Sequence, residues 1–396
     1  MRSAANLGAV VLGVVALAGC WSPAGPAGEQ VDAIRLGGDT MGTRWNATVV
    51  APRDRAPGLE PELLALIDEA LDLVDRQMST WREDSELSRF NRHQDTAPFS
   101  LSPETLTVLR LAREVSVASG GAFDVTVGPL VDAWGFGPGH AKPGTAGRGR
   151  GRPAAGPGAP PAPESIATLR QRVGYELLTL DQAAGSAAKK HPDLEVDLSA
   201  IAPGYAVDLI SQRLRERGFG RHLVEVGGEL RVAGPNPAGS PWRIAIERPR
   251  AERRETQRVV AVRDLAVATS GDYRDFYELD GARYSHTLDP ATGSPVRHAL
   301  ASATVIHESC ALADAWATAI MALGPGAGLR VAEENGLSVL LLLYQGEGVR
   351  EITSAEFERR FGGDANAAGA SAAAVVNAEG AGEVRAPGAA AAAGRE

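Results

Sequence analysis

The run Leu223-Val224-Glu225-Val226-Gly227-Gly228-Glu229-Leu230-Arg231-Val232 decides how the rest of the chain is read. Residues that suit a strand stand on both sides of a glycine pair, which marks either a bulge or a tight bend. Downstream, Trp242, Ile244 and Ile246 alternate with Arg243 and Glu247, the period of a half-buried strand. Val259 to Thr269 predicts another strand, and Leu337 to Tyr344 a buried one. Successive strands joined by short turns, with helices between them, imply an α+β fold with mixed, largely antiparallel sheets and flanking helices.

Working outward, Gly38 to Trp45 reads as a turn feeding a strand at Asn46–Val50. From Pro61, the residues Leu63, Ile67, Ala70, Leu71, Val74 and Met78 recur at helical spacing, and that helix should end near Ser79-Thr80-Trp81. Residues 82–91 form a polar segment with spaced apolar anchors. Ser102-Pro103-Glu104 combines a capping serine, a proline at the first helical position and an acid at the positive end of the dipole. Gly120-Gly121 stops the helix that follows, and residues 122–137 read as loop and pocket wall. A short helix is expected over Glu164–Val173. Glu195 to Ile210 reads as strand, glycine-containing turn and helix. Ser309 caps a helix with Leu312, Trp316, Ile320 and Leu323 on its apolar face, and Gly336 ends the next helix.

The 396 residues suffice for a sizeable core, and a net charge of -9 argues against non-specific wrapping of nucleic acid. Residues 1–20 look like a bacterial lipoprotein signal. Arg2 precedes a short apolar run, Leu7 to Ala18, and Leu17-Ala18-Gly19-Cys20 ends on the cysteine that would be acylated. Residues 21–30 would be a tether, and the folded domain is expected over 31–361. The Gly/Pro/Arg-rich stretch 139–163 and the Ala/Gly-rich tail 362–396 lack the apolar content to form a core and are expected to be disordered. If Cys20 is acylated, Cys310 has no disulfide partner, and it reads as a small buried residue at a helix start.

The chemistry is concentrated between Ala268 and Ala322. Asp314 and Thr318 are four apart, so a helix puts both oxygens on one face. One carboxylate and one hydroxyl suit Mg²⁺, which keeps waters and takes phosphate oxygens, but spacing alone favours the polar outer face of an amphipathic helix. His286 has the chemistry of a general base and no partner visible in the sequence. Asp289-Pro290 is a turn signal, and Thr269-Ser270-Gly271 is either a phosphate contact or a polar turn. Rossmann, Walker, zincin, Cys-x-x-Cys and Gly-x-Ser-x-Gly signatures are absent.

Taken in order, Thr40-Met41-Gly42-Thr43, Met78-Ser79-Thr80-Trp81, Ser85 to Asn91 and Ala122 to Leu130 form one series of motifs. It continues with Asp197 to Ala200, Gly204-Tyr205-Ala206, Val226 to Glu229, Thr269-Ser270-Gly271, Ser285-His286 with Asp289-Pro290, and Ala313 to Thr318. From Asp39 to Phe361 the chain resembles the FAD:protein FMN transferase family, the ApbE-type flavin-trafficking lipoproteins.

The resemblance implies a single catalytic domain. Its activity would be Mg²⁺-dependent transfer of FMN from FAD to a Thr or Ser hydroxyl of an acceptor flavoprotein, with AMP leaving. It also implies that Met41, Trp81, Ala122, Phe123, Asp124, Asp197, Pro203 and Leu288 line the FAD site. The metal would rest on Asp314, Thr318 and the carbonyl of Ala200, with His286 as base. Cys20 would anchor the protein in the cell envelope, on the outer face of the cytoplasmic membrane or on the outer membrane. Pro203 departs from the family, which commonly carries Lys or Glu there, and the 139–163 insertion is also unusual. A Mg²⁺-dependent FAD pyrophosphatase and a non-enzymatic FAD-binding lipoprotein are the competing expectations.

Overall fold

A computed structural model describes residues 30–137, 159–249, 255–272, 276–279, 282–346 and 348–363. Cys20, its signal and tether, most of the 139–163 insertion and the tail beyond 363 lie outside the described residues. The elements begin with β1 (Val31–Thr40), β2 (Thr43–Pro52), α1 (Glu60–Met78), α2 (Glu86–Arg92), β3 (Phe99–Ser100) and α3 (Pro103–Ala118). They continue with α4 (Gly128–Ala133), α5 (Pro163–Arg170), β4 (Leu178–Asp181), β5 (Ser186–Lys189) and α6 (Ala202–Glu216). Next come β6 (His222–Val226), β7 (Glu229–Ala233), β8 (Trp242–Glu247), β9 (Thr256–Val262), β10 (Ala266–Gly271), β11 (Phe276–Leu279) and β12 (Ala282–Ser285). The last are β13 (Leu288–Asp289), β14 (Ser294–Pro295), β15 (Leu300–His307), α7 (Cys310–Glu334), β16 (Ser338–Gln345), β17 (Gly348–Thr353) and α8 (Ala355–Phe361).

The opening run is a hairpin. Val226 pairs with Glu229, and Gly227 and Gly228 turn at φ 65° and 113°, so the glycine pair is a two-residue bend and not a bulge. This hairpin lies inside an eight-stranded sheet ordered β1-β2-β6-β7-β10-β15-β16-β17, antiparallel at every pairing. Alternation along the strands feeds two cores. Val224, Val226, Ala303, Val305, Val339 and Leu341 face the cluster that includes α1, α3, α6 and α7. Leu223, Leu230, Val232, Ile306, Leu340 and Leu342 face the other side, which the β8–β9 hairpin covers with Trp242, Ile244 and Ile246, and α8 with Phe357 and Phe361. The α+β, largely antiparallel expectation holds.

Several local expectations are corrected. Gly38 is not in a turn: β1 and β2 pair continuously to Thr40 and Thr43, and only Met41 and Gly42, at φ 44° and 71°, form the bend. Gly38 is small for another reason, since a Cβ there would meet the Trp45 indole nitrogen at 2.8 Å. The polar segment after Trp81 contains α2, capped by Ser85, whose Oγ accepts from Ser88 N–H at 2.9 Å. Glu195 to Leu198 joins no sheet, and Pro203-Gly204-Tyr205 belongs to the first turn of α6. Val259 to Thr269 is two strands, broken at Asp264 in the left-handed region with φ 55°. Residues 122–137 include the short α4, and a small sheet β3-β5-β4 stands where the sequence shows no strand pattern. The two helices expected before Gly336 are present, by contrast: they meet at Gly324, whose φ 74° and ψ 178° are not helical, just before Pro325, and together they make up α7.

Candidate active site

The sheet register gathers motifs that are far apart in sequence. Trp45 lies opposite Val226 and Val267 opposite Leu230, so the Met41-Gly42 bend, the Gly227-Gly228 bend and the Thr269–Gly271 end of β10 share one end of the sheet. Glu225, fully buried, ties two of these strands together. It accepts from Asn46 Nδ2 at 2.8 Å and from Gly228 N–H at 2.6 Å.

Behind β10 lies α7. Ser309 caps it, and its apolar composition lets it run through the core. Asp314 is 5 % exposed, so a solvated helix face does not describe it. Gly204 N–H, in the first turn of α6, donates to Asp314 Oδ2 at 3.2 Å. The positive end of α6 thus stands beside an acidic side chain. The approach requires glycine, because a Cβ on Gly204 would meet the Cys310 carbonyl oxygen at 2.5 Å. One turn along α7, Thr318 Oγ1 lies 3.1 Å from Ser270 Oγ. Strand alternation sends the neighbouring Thr269 hydroxyl to Thr304, 2.9 Å away, so of this pair only Ser270 addresses Thr318.

The loop before α6 is shaped by Asp197, whose Oδ1 accepts from the N–H (2.8 Å) and the hydroxyl of Ser199. Leu198 carbonyl accepts from Ile201 and Ala202 N–H, and Ala200 sits half-buried in the bend between. Pro203 is the second residue of α6, a position where a missing N–H costs nothing. Asp197 N–H donates to Val125 carbonyl at 2.7 Å, which joins this loop to the Ala122-Phe123-Asp124 segment. Phe123 is buried, and Asp124 Oδ1 accepts from Thr126 N–H and Oγ1, at 2.8 and 2.7 Å. Tyr175 N–H donates to the other oxygen at 2.7 Å. Burial pushes the Asp124 carboxyl up despite these bonds. Asp124 is therefore committed to holding its loop.

Leu288 belongs to a separate small core with Leu130, Trp134, Tyr277 and Tyr284, and His286 lies in the short link between β12 and β13 beside it. Trp134 Nε1 donates to Gly293 carbonyl at 2.8 Å, and the Phe136 ring lies 6.4 Å from that of His286. Asp272, at the end of β10, accepts from Tyr344 hydroxyl at 3.1 Å and takes Arg283 on its carbonyl. Burial raises the Asp272 carboxyl, while the charges of Arg283, His298 and His286 pull it down, so His286 is within its electrostatic reach. Trp81 is 54 % exposed, whereas the other described tryptophans are buried; an exposed indole face suits stacking.

Direct bonds therefore unite Asp314 with α6 and Thr318 with Ser270, and Asp197 with the 122–126 loop. Met41, Trp81 and His286 arrive on separate loops. Asn46, Glu225, Asp272 and the pairing of Ser270 with Thr318 carry no assignment from the sequence. The signal for Ser270 was strand alternation after Val267, whereas the Asn46–Glu225 pair spans 179 residues and has no local signature. Among the described residues, no group of three His, Cys, Asp or Glu side chains converges as a metal cluster.

Comparison with known proteins agrees with this architecture. The family model described as the ApbE family matches residues 41–341. A Vibrio cholerae protein named FAD:protein FMN transferase is 42% identical over 344 residues, covering 86% of this chain and 95% of its own. The Escherichia coli K12 protein of the same name is 37% identical over 329 residues, covering 82% and 88%. The solved flavin transferase ApbE from Vibrio cholerae superposes with TM-score 0.73 at 40% identity, over 84% of this chain and 100% of that one. The apo form of the flavinyl transferase ApbE from Pseudomonas stutzeri gives TM-score 0.73 at 37% identity, over 84% and 98%. In sequence and in fold, the chain belongs to the ApbE family.

Proposed function

We propose that this chain is a FAD:protein FMN transferase that moves FMN from FAD to a Thr or Ser hydroxyl of an acceptor flavoprotein, with Mg²⁺ required and AMP released. The observation that carries the reading is the buried Asp314 carboxylate at the start of α6, with the Thr318–Ser270 hydroxyl pair one turn away. Met41, Trp81, Ala122 to Asp124, Asp197, Pro203 and Leu288 would line the FAD site. Asp314, Thr318 and the Ala200 carbonyl are an all-oxygen set, which fits a hard divalent cation that keeps waters and takes phosphate oxygens. Bound there, Mg²⁺ would supply neutralisation of charge on the diphosphate.

The chain's own residues supply placement. Exposed Trp81 offers a stacking face to a planar ring, and the Asp124 and Asp197 loops are tied into one wall by the Asp197–Val125 bond. The acceptor oxygen attacks the phosphorus of the FMN half, the bond to the bridging oxygen breaks, and AMP carries that oxygen away. The proton lost by the acceptor hydroxyl goes to His286. In the same reading Cys20 carries lipid, because Leu17-Ala18-Gly19-Cys20 closes a short apolar run, and it holds the domain on the outer face of the cytoplasmic membrane or on the outer membrane.

The test is to incubate the protein with FAD, Mg²⁺ and an acceptor flavoprotein fragment, and to follow protein-bound FMN by mass spectrometry and AMP by chromatography. Adduct and AMP should form together, and Asp314→Asn should lower the rate at least ~100-fold, the scale of a lost electrostatic contact at a reacting phosphate. AMP and free FMN without adduct would show a pyrophosphatase instead. FAD binding with no AMP at all would leave only a flavin carrier.

A further inference from the structure

Lys189, the last residue of β5, is 2 % exposed, an unusual place for an ammonium group. Its Nζ donates to the Asn91 carbonyl at 2.9 Å and to the Pro192 carbonyl at 3.5 Å, and lies 4.9 Å from the centre of the Phe90 ring. Asn91, near the end of α2, uses its side chain as a strand would use its backbone. Nδ2 donates to Val196 carbonyl and Oδ1 accepts from Val196 N–H, both at 2.8 Å. The next residue, Asp197, is held from the other side by Val125 carbonyl at 2.7 Å. Residues 196 and 197 are thus pinned on two sides without belonging to any sheet.

Desolvating an ammonium group is unfavourable, and an apolar side chain of similar volume packs at least as well. What an apolar side chain cannot do is hold two carbonyls. Burial brings Lys189 down to about 8, and the charges of Glu195 and Asp193 oppose a larger fall. The segment it steadies is the one that turns at Leu198 into α6, where Gly204 N–H meets Asp314.

We infer that Lys189 and Asn91 are positioning residues for the transfer, holding 196–200 on the course that delivers the Ala200 carbonyl to the proposed cation set. The inference rests on the reading of the site given above. It is tested on the full-length chain with saturating FAD and Mn²⁺ as the probe, free Mn²⁺ being followed by electron paramagnetic resonance. Lys189→Met and Asn91→Ala should each weaken Mn²⁺ binding at least ten-fold and speed hydrogen exchange in the peptide spanning 194–201 at least ten-fold. Lys189→Met should melt no lower than the parent protein. Should it fail to fold, Asn91→Ala decides alone. Faster exchange with unchanged Mn²⁺ affinity, or unchanged exchange, would overturn the inference while leaving the site reading intact. A parent protein that binds no Mn²⁺ would overturn both.

Discussion

His222 is fully enclosed at the start of β6, its Nδ1 2.8 Å from the Phe219 carbonyl and its Nε2 2.8 Å from Ser211 Oγ. A neutral ring satisfies both: Nδ1–H donates to the carbonyl and Nε2 accepts from the hydroxyl. Burial pulls its pKa down to about 4, from an ordinary 6.5. The folded state therefore binds fewer protons than the unfolded chain between these values. The stabilisation is complete above pH 6.5 and is lost as the pH falls towards 4, about 3 kcal/mol in all. Urea unfolding at pH 7 and pH 4.5 should show this loss in the parent protein, and a clearly smaller drop in His222→Gln. Equal drops would show that other groups govern the acid response. Single residues of the candidate site were only partly legible in the sequence. Asp314 and Thr318 were visible as a spaced pair, but whether that face was wet or buried depended on α6, which lies a hundred residues upstream. Asp124 was visible as part of a motif, while its commitment to Thr126 and Tyr175 required the fold.

At the scale of elements, the contact between α6 and α7 governs the site. Gly204 lets the two helices approach until its N–H reaches Asp314. Gly204→Ala would press a methyl group into Cys310 and Ala311, where the backbone atoms lie 2.5 to 2.9 Å from the added carbon. Such overpacking costs roughly 1–3 kcal/mol. The variant should melt at lower temperature and, where it folds, lose transfer activity by more than the stability loss explains, since the helices must part. An unchanged melting point would show that the helices shift apart freely. Elements with strong periodicity or caps were legible, as with α1, α3, β8 and the start of α7. Those set by distant partners were not. Gly38 looked like a turn because the sequence cannot show Trp45 lying across it, and Asp264 broke a strand without a glycine to announce it. β3, β4 and β5 are short strands whose register depends wholly on one another.

For the molecule as a whole, one sheet separates two cores with different duties. The face bearing α1, α3, α6 and α7 carries Asp314 and Thr318, while the β8–β9 hairpin and α8 seal the opposite face with a mainly apolar core, at whose edge Arg258 pairs with Glu351. In the proposed reading, where this body resides depends on Cys20. Cells grown with a labelled fatty acid should incorporate it into the parent protein and not into Cys20→Ser, which should appear in the soluble fraction. Label retained in that variant would remove the anchor from the reading.

The strands of the large sheet stand side by side in the same order as they occur along the chain, from β1 to β17, with no inversion. During synthesis each newly exposed strand can therefore dock on the free edge left by its predecessor. Met41, Trp81 and the 122–126 loop, which the proposed function assigns to the FAD site, emerge from the ribosome early. Asp314 and Thr318 come late, on a helix that closes against strands already in place. A nascent chain thus holds most of the residues proposed to cradle the nucleotide well before it owns Asp314 and Thr318, and Leu288 completes that set only shortly ahead of them.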